Sequence, residues 1–243
     1  MAVILERFVY FYVEYPIIIG MFLIISGMLL KRDRALLQRK LIVLALSIIS
    51  LGLMVAMISG IFTGSQFLLI INFLCKASIL FCSIGILVFC MFLFSTFSQI
   101  ETLKEVPHIK FLILIIAYLS GMFFIPEGLN VPISPEGIQG FPEYSLAFFM
   151  YILIPHLVFF IYGIIYGIKI IKQHETRILK YKASIFLYAI LLIFYMLLST
   201  TLDGYLYTLS GYDGSILEVF RQYIPYPLVI IGMIGLIGFR LTF

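Results

Sequence analysis

The stretch from Phe67 to Phe94 reads FLLIINFLCKASILFCSIGILVFCMFLF, and it carries one lysine, Lys76, well inside an otherwise apolar run. Four further ionisable residues stand within or beside comparable apolar segments: Glu14, His156, Asp203 and Arg221. An ionisable group inside a bilayer costs about 2.5 to 3.5 kcal/mol on the insertion scale, so it turns to a partner, to the bundle interior or to water. Glu14 and Lys76 are the natural first pair. His156, Asp203 and the tyrosines Tyr10, Tyr12, Tyr15, Tyr151, Tyr205 and Tyr207 are available to complete a network. Three readings compete: a buried ion pair that fixes helix register, a polar pocket open to the outside, or a lysine snorkelling towards the outer interface.

Other chemistry is excluded by residue type and spacing. Cys75, Cys82 and Cys90 are seven and eight apart on one apolar segment, so they cannot pair with one another along a helix, and they form no CxxC motif. No histidines are placed beside them to complete a zinc site, and they read as small packing residues. His108 and His174 fall in polar loops and only His156 lies within an apolar run, which leaves no axial pair for a haem. No nucleophile and base stand at a recognisable spacing, so neither a catalytic site nor a cofactor or metal is expected.

The elements that must position these residues follow from composition. The chain of 243 residues is 63% hydrophobic and 12% charged, with a mean hydropathy of +1.16. That is an integral membrane protein, all-α, with no room for a soluble catalytic or nucleotide-binding domain. Apolar runs bounded by charge or Pro/Gly signals give a single domain, 1–243, of seven spans: 8–30, 41–62, 67–95, 111–125, 145–171, 183–204 and 219–239. The fourth is short, because Pro126 ends it early unless it starts inside the preceding loop. The first lacks a basic leader and a small-residue cleavage site and is stopped by KRDR at 31–34, so it is no cleavable signal peptide.

Thirteen of the sixteen lysines and arginines lie in 31–40, 96–110 and 169–182 or at Arg240. The positive-inside rule makes these segments cytoplasmic, with the N-terminus outside, the C-terminus inside and the protein a multi-pass component of the cell membrane. The net charge of +4 therefore describes topology and gives no sign of nucleic-acid binding. Counted down upright helices, Glu14, Lys76 and His156 lie at roughly 9, 14 and 15 Å from the outer end. The polar set thus occupies the outer half, and the inner half is hydrocarbon.

Two basic loops of similar length, KRDRALLQRK and KQHETRILKYK, each follow a span containing one proline, Pro16 or Pro155. They suggest a 3+1+3 plan of parallel repeats around the fourth span. The outer segment 126–144, with Pro-Glu-Gly twice, reads as a structured cap or short hairpin, longer than a mere connection needs. The segment 203–223 reads as a second outer loop. GIIYG at 163–167 and Gly232, Gly235 and Gly238 in the last span are close-packing signals, the latter offering a homodimer face.

The N-out seven-span layout, the long loop between spans 4 and 5, the run KQHETRILKYKASIFLYAILLIFYMLLSTTLDG and the GFRLTF ending resemble the N-terminal seven-helix sensor region of membrane histidine kinases. The resemblance covers nearly the whole chain in hydropathy and spacing and carries no diagnostic motif, so no family site transfers. In such kinases the last helix continues into a catalytic region, whereas this sequence stops three residues after Arg240. The resemblance implies a free-standing, receptor-like sensor that signals through a separate cytoplasmic protein held at the basic inner loops. A retinal protein is excluded, because 219–239 contains no lysine. The alternatives are a small-molecule transporter of 3+1+3 type and a structural subunit of a membrane complex. Glu14, Lys76, His156, Asp203 and Arg221 are the expected ligand-binding residues or polar network.

Overall fold

The computed structural model describes residues 10–32, 37–62, 64–99, 109–133 and 142–210. They form six α-helices: α1 (Tyr15–Arg32), α2 (Leu37–Ile61), α3 (Leu68–Phe97), α4 (Ile109–Ser120), α5 (Leu146–Gln173) and α6 (Arg177–Ser210). Two short strands, β1 (Leu129–Asn130) and β2 (Glu143–Tyr144), lie between α4 and α5. The expected seventh span, Arg221 and the glycines 232, 235 and 238 fall outside the described residues.

Five helical segments, Tyr12–Lys31, Leu37–Ile61, Ser65–Phe97, Leu146–Gln173 and Arg177–Leu206, are long and apolar enough to cross a membrane. The chain is therefore an all-α membrane bundle. At the expected fourth span stands a shorter apolar helix that begins inside the preceding loop, at Ile109, and after Ser120 tightens into a 3-10 turn, Gly121–Phe124. Twelve residues at 1.5 Å and four at about 2 Å reach roughly 26 Å, just under the 30 Å of a hydrocarbon core. Its role is visible in what it connects: α4 returns the chain to the end from which α3 departed, so α3 and α5 run parallel.

Two local devices answer to proline. A π-turn, Tyr10–Glu14, leads into α1 immediately before Pro16. Proline has no N–H for the carbonyl one α-turn earlier, and a wider turn is one of the ways a helix absorbs that loss. Pro155 sits inside α5 and leaves the carbonyl of Tyr151 without its helical donor. Tyr118 of α4 supplies a replacement, its phenol donating to Tyr151 O at 3.2 Å, while the Tyr151 phenol donates back to Tyr118 O. The two rings stack with centroids 4.3 Å apart, which fastens α4 to α5 one turn before Pro155.

The sixth span runs further than the sequence suggests. Asp203-Gly204 reads as the start of a loop, yet α6 continues to Ser210, and its 34 residues extend about 51 Å. Gly204 permits this: the ring of Tyr144 lies where a Cβ at 204 would meet it, within 2.7 Å. Thr208, one turn on, donates to Tyr144 O at 3.0 Å and to Gly204 O at 3.1 Å. The cap thus lies on the helix that extends beneath it.

Packing proceeds α1 on α2, α2 on α3, α3 on α5 and α5 on α6. The closest seam is α2 with α3, where small residues interlock in antiparallel register. A Cβ on Gly52 would meet Cys82 Sγ at 2.6 Å and Ser78 O at 3.0 Å, and one on Gly85 would meet Ile49 and, at 3.0 Å, Ala45 O. The GIIYG motif does mark close helix contact: Gly163 lies against Phe194 and Gly167 against Leu187, both on α6. On the outside, Leu44, Leu51 and Ile58 of α2 and Ile154, Ile161 and Ile168 of α5 are exposed at seven-residue spacing. Those stripes fit contact with lipid tails rather than water.

Candidate functional site

The polar residues gather in two layers, and the first holds the cap. Segment 121–145 begins with the 3-10 turn and passes through β1, whose Leu129 pairs with Tyr144 and Asn130 with Glu143 of β2 in antiparallel register. Of the expected cap or short hairpin, the described residues show the antiparallel strand pair, and the residues that join the strands lie outside them. The cap closes onto α5, where Ser145 caps the helix by accepting a hydrogen bond from Phe148 N at 3.3 Å. Gly128 lies under Phe148, and its carbonyl accepts from Ser145 N at 3.0 Å.

Two side chains of α3, one turn apart, grip the backbone of this cap. Asn72 Oδ1 accepts from Val131 N at 3.1 Å, and Lys76 Nζ donates to Ile125 O at 3.1 Å. The ammonium also stands over the Phe148 ring, 5.6 Å from its centroid. Ile125 follows the 3-10 turn in extended conformation, which takes its carbonyl out of the helical ladder. Among the described residues Lys76 has no ion-pair partner, and instead of snorkelling into open water it spends one of its three donors on a carbonyl of the cap.

The expected Glu14–Lys76 pair is not formed. Glu14 ends the π-turn ahead of α1, and its buried Oε2 has no hydrogen-bond partner among the described residues. The physical reason is helix order: α1 packs on α2, and α2 stands between it and α3. Counting depth along upright helices puts two residues at one level without saying which helices are neighbours. Asp203 lies within α6 rather than at its end, and its side chain is outside the described residues, as is the whole of Arg221.

The second layer lies deeper. His156 of α5 is 4% exposed and bridges two helices: Nε2 is 2.8 Å from Ser83 Oγ of α3, and Nδ1 is 3.0 Å from Thr201 Oγ1 of α6. Ser83 and Thr201 are buried as well. Ser83 is seven residues beyond Lys76, about 10 Å further along α3, so His156 and Lys76 belong to separate layers despite their similar count from the helix ends. Sequence reasoning reached the histidine and missed both hydroxyls, because serine and threonine inside spans usually bond their own helix. Ser83 to Ile79 O at 2.7 Å and Thr201 to Leu197 O at 2.8 Å do so here too.

Towards the basic loops the character changes. Cys90 is buried there, its Sγ lying 3.8 Å from Phe159 O; of the other two cysteines, Cys82 is buried beside Ser83, and Cys75, next to Lys76 at the cap end, has its Sγ 3.7 Å from Ser59 Oγ. A largely apolar cleft between α3, α5 and α6 is walled by Phe92, Leu93, Gly167, Ile170, Ala183, Phe186 and Leu187, with Thr96 as its one polar residue. Beyond it Lys169 stands over Tyr166 and Phe97, 4.7 and 5.2 Å from their centroids. Among the described residues no group of three or more metal-binding side chains gathers anywhere.

Compared with protein-family models, curated proteins and solved structures, the chain matches none of them.

Proposed function

We propose that this protein is a receptor-like sensor module of the cell membrane, with seven spans, its N-terminus outside and its basic loops in the cytoplasm. Its ligand arrives at the cap end, and its output passes through a separate protein held at the basic loops. One observation carries this reading: an ammonium inside a span is held by a backbone carbonyl and a ring face of the cap, with no carboxylate partner among the described residues. A carbonyl is a weaker partner for a cation than a carboxylate, since it offers a dipole where the carboxylate brings a full opposite charge. An acidic ligand group that reaches Lys76 can therefore replace Ile125 O and free the cap. The largely apolar wall of the basic half, with Thr96 its one polar residue among those described, supports reception over passage, because a carrier needs a path across.

The first test is native mass spectrometry of the protein gently extracted from its own membrane. A stoichiometric signalling protein, lost when the basic residues of 169–182 are replaced by glutamine, is the expected result. A bare protein in every preparation overturns it. The second reading is a transporter of 3+1+3 type, favoured by the parallel α3 and α5 joined through the short α4. Substrate flux into proteoliposomes containing this protein alone separates the two.

A further inference from the structure

The junction of Ser83, His156 and Thr201 contains four hydrogen-bond contacts. Two join the ring nitrogens to the hydroxyls, at 2.8 and 3.0 Å, and two join the hydroxyls to Ile79 O and Leu197 O, at 2.7 and 2.8 Å. Each contact needs one proton. A neutral imidazole offers one N–H and each hydroxyl one O–H, so three protons serve four contacts. An imidazolium would supply the fourth. It would also place a full charge on a ring that is 4% exposed and whose hydrogen-bond partners among the described residues are the two hydroxyls alone. The titratable neighbour Cys82, beside Ser83, faces Gly52 of α2 instead. Burying an unpaired charge costs far more than one hydrogen bond returns, so the ring stays neutral.

A neutral ring has two equivalent ways to be satisfied. With the proton on Nε2, the ring donates to Ser83, which keeps its bond to Ile79 O, and Thr201 turns its proton onto Nδ1. With the proton on Nδ1, the roles of Ser83 and Thr201 exchange. Each arrangement has three bonds, and each leaves a different helix, α6 or α3, without its side-chain tie to its own carbonyl. We infer that His156 is a tautomeric switch, a two-state element that reports the relative approach of α3 and α6 to α5. The exchange moves one proton off one nitrogen and one onto the other, carried by a water admitted on local opening, with no net gain or loss.

The two helices that compete for the ring are the two that hold the cap. Lys76 and Asn72 tie it to α3, and Thr208 with the Tyr144–Gly204 contact ties it to α6. Resting on the sensor reading, the switch lies where a displaced cap would load α3 and α6 unequally, immediately after Pro155.

The test is nitrogen-15 NMR of labelled histidine in the full chain in lipid nanodiscs, with His156→Gln identifying the signal among the three histidines. The native protein should show both tautomers, within about tenfold of equal population, since the bonds exchanged are alike in kind. Ser83→Ala should drive the proton to Nδ1 and Thr201→Val to Nε2, a shift of about tenfold or more in opposite directions. Thr201→Ser, which keeps the hydroxyl, should retain the mixture and shows that the fold tolerates change at 201. An imidazolium at neutral pH, or one unchanged tautomer in all these proteins, overturns the inference. Because no ligand or partner enters this experiment, its failure is separate from failure of the sensor reading, which the mass spectrometry decides.

Discussion

Two seams of this bundle are built on opposite principles. Between α2 and α3 the contact is made by Gly52, Cys82, Gly85, Ala45 and Ile49, with backbones so close that an added Cβ meets the neighbouring helix. Between α3, α5 and α6 the contact near the cap is polar, made by Ser83, His156 and Thr201, and nearer the helix ends Lys76 and Asn72 bond α3 to the backbone of the cap. Helices in a bilayer have no hydrophobic drive to associate, because lipid tails are as apolar as leucine, so they join by close packing or by hydrogen bonds. Close packing is bistable only through large repacking. A hydrogen bond can be exchanged for another of similar strength. The difference assigns rigidity to the first seam and response to the second.

The comparison can be broken most directly at the glycines. Gly85→Val should be the most damaging change, costing about 3 kcal/mol or more, because the added methyls meet Ile49 and the Ala45 carbonyl with no open space to enter. Thermal unfolding in detergent measures it, and a neutral result would remove the claim that this seam is rigid. His156→Leu comes next. It removes the bridge but leaves Ser83 and Thr201 bonded to their own carbonyls, so the loss should be about 0.6 to 1.7 kcal/mol, the range found for interhelical hydrogen bonds in membranes.

Smaller effects sharpen the boundary between the two kinds of seam. Ser145→Ala deletes the cap of α5 and should cost about 1 kcal/mol, read as a lower unfolding temperature together with faster proteolysis of the 121–145 segment. Tyr118→Phe withdraws the donor that Pro155 makes necessary, and about 0.6 kcal/mol should be lost, since water or a small shift of the helix can serve the Tyr151 carbonyl in its place. Lys76→Met should leave global stability within about 0.5 kcal/mol while releasing the cap, visible as faster hydrogen exchange at Val131 and Tyr144. Combined with Glu14→Gln it should be additive within about 0.5 kcal/mol, because the two residues share no contact; coupling beyond that would restore the ion pair.

The sequence alone determined that the chain is a helical membrane bundle, because apolar runs of some twenty residues leave few other structures in which every backbone group is bonded. It also marked the cap, the prolines and the GIIYG contact, since each is a local signal whose meaning depends on the residues beside it. It placed a helix end at Asp203-Gly204 because an Asp-Gly pair ordinarily turns the chain, whereas in the tertiary structure α6 continues and the ring of Tyr144 lies on Gly204. Which face of each helix points inward was beyond it: Leu44, Leu51 and Ile58 face outward and Ile42, Ile49 and Leu53 inward on the same α2, and all six are aliphatic. In water polarity would distinguish those faces; in lipid both solvents are apolar, and packing alone decides. For the same reason the partner of Lys76 was not legible. Charge suggested Glu14, but the tertiary structure set α2 between them and brought a carbonyl of the cap instead.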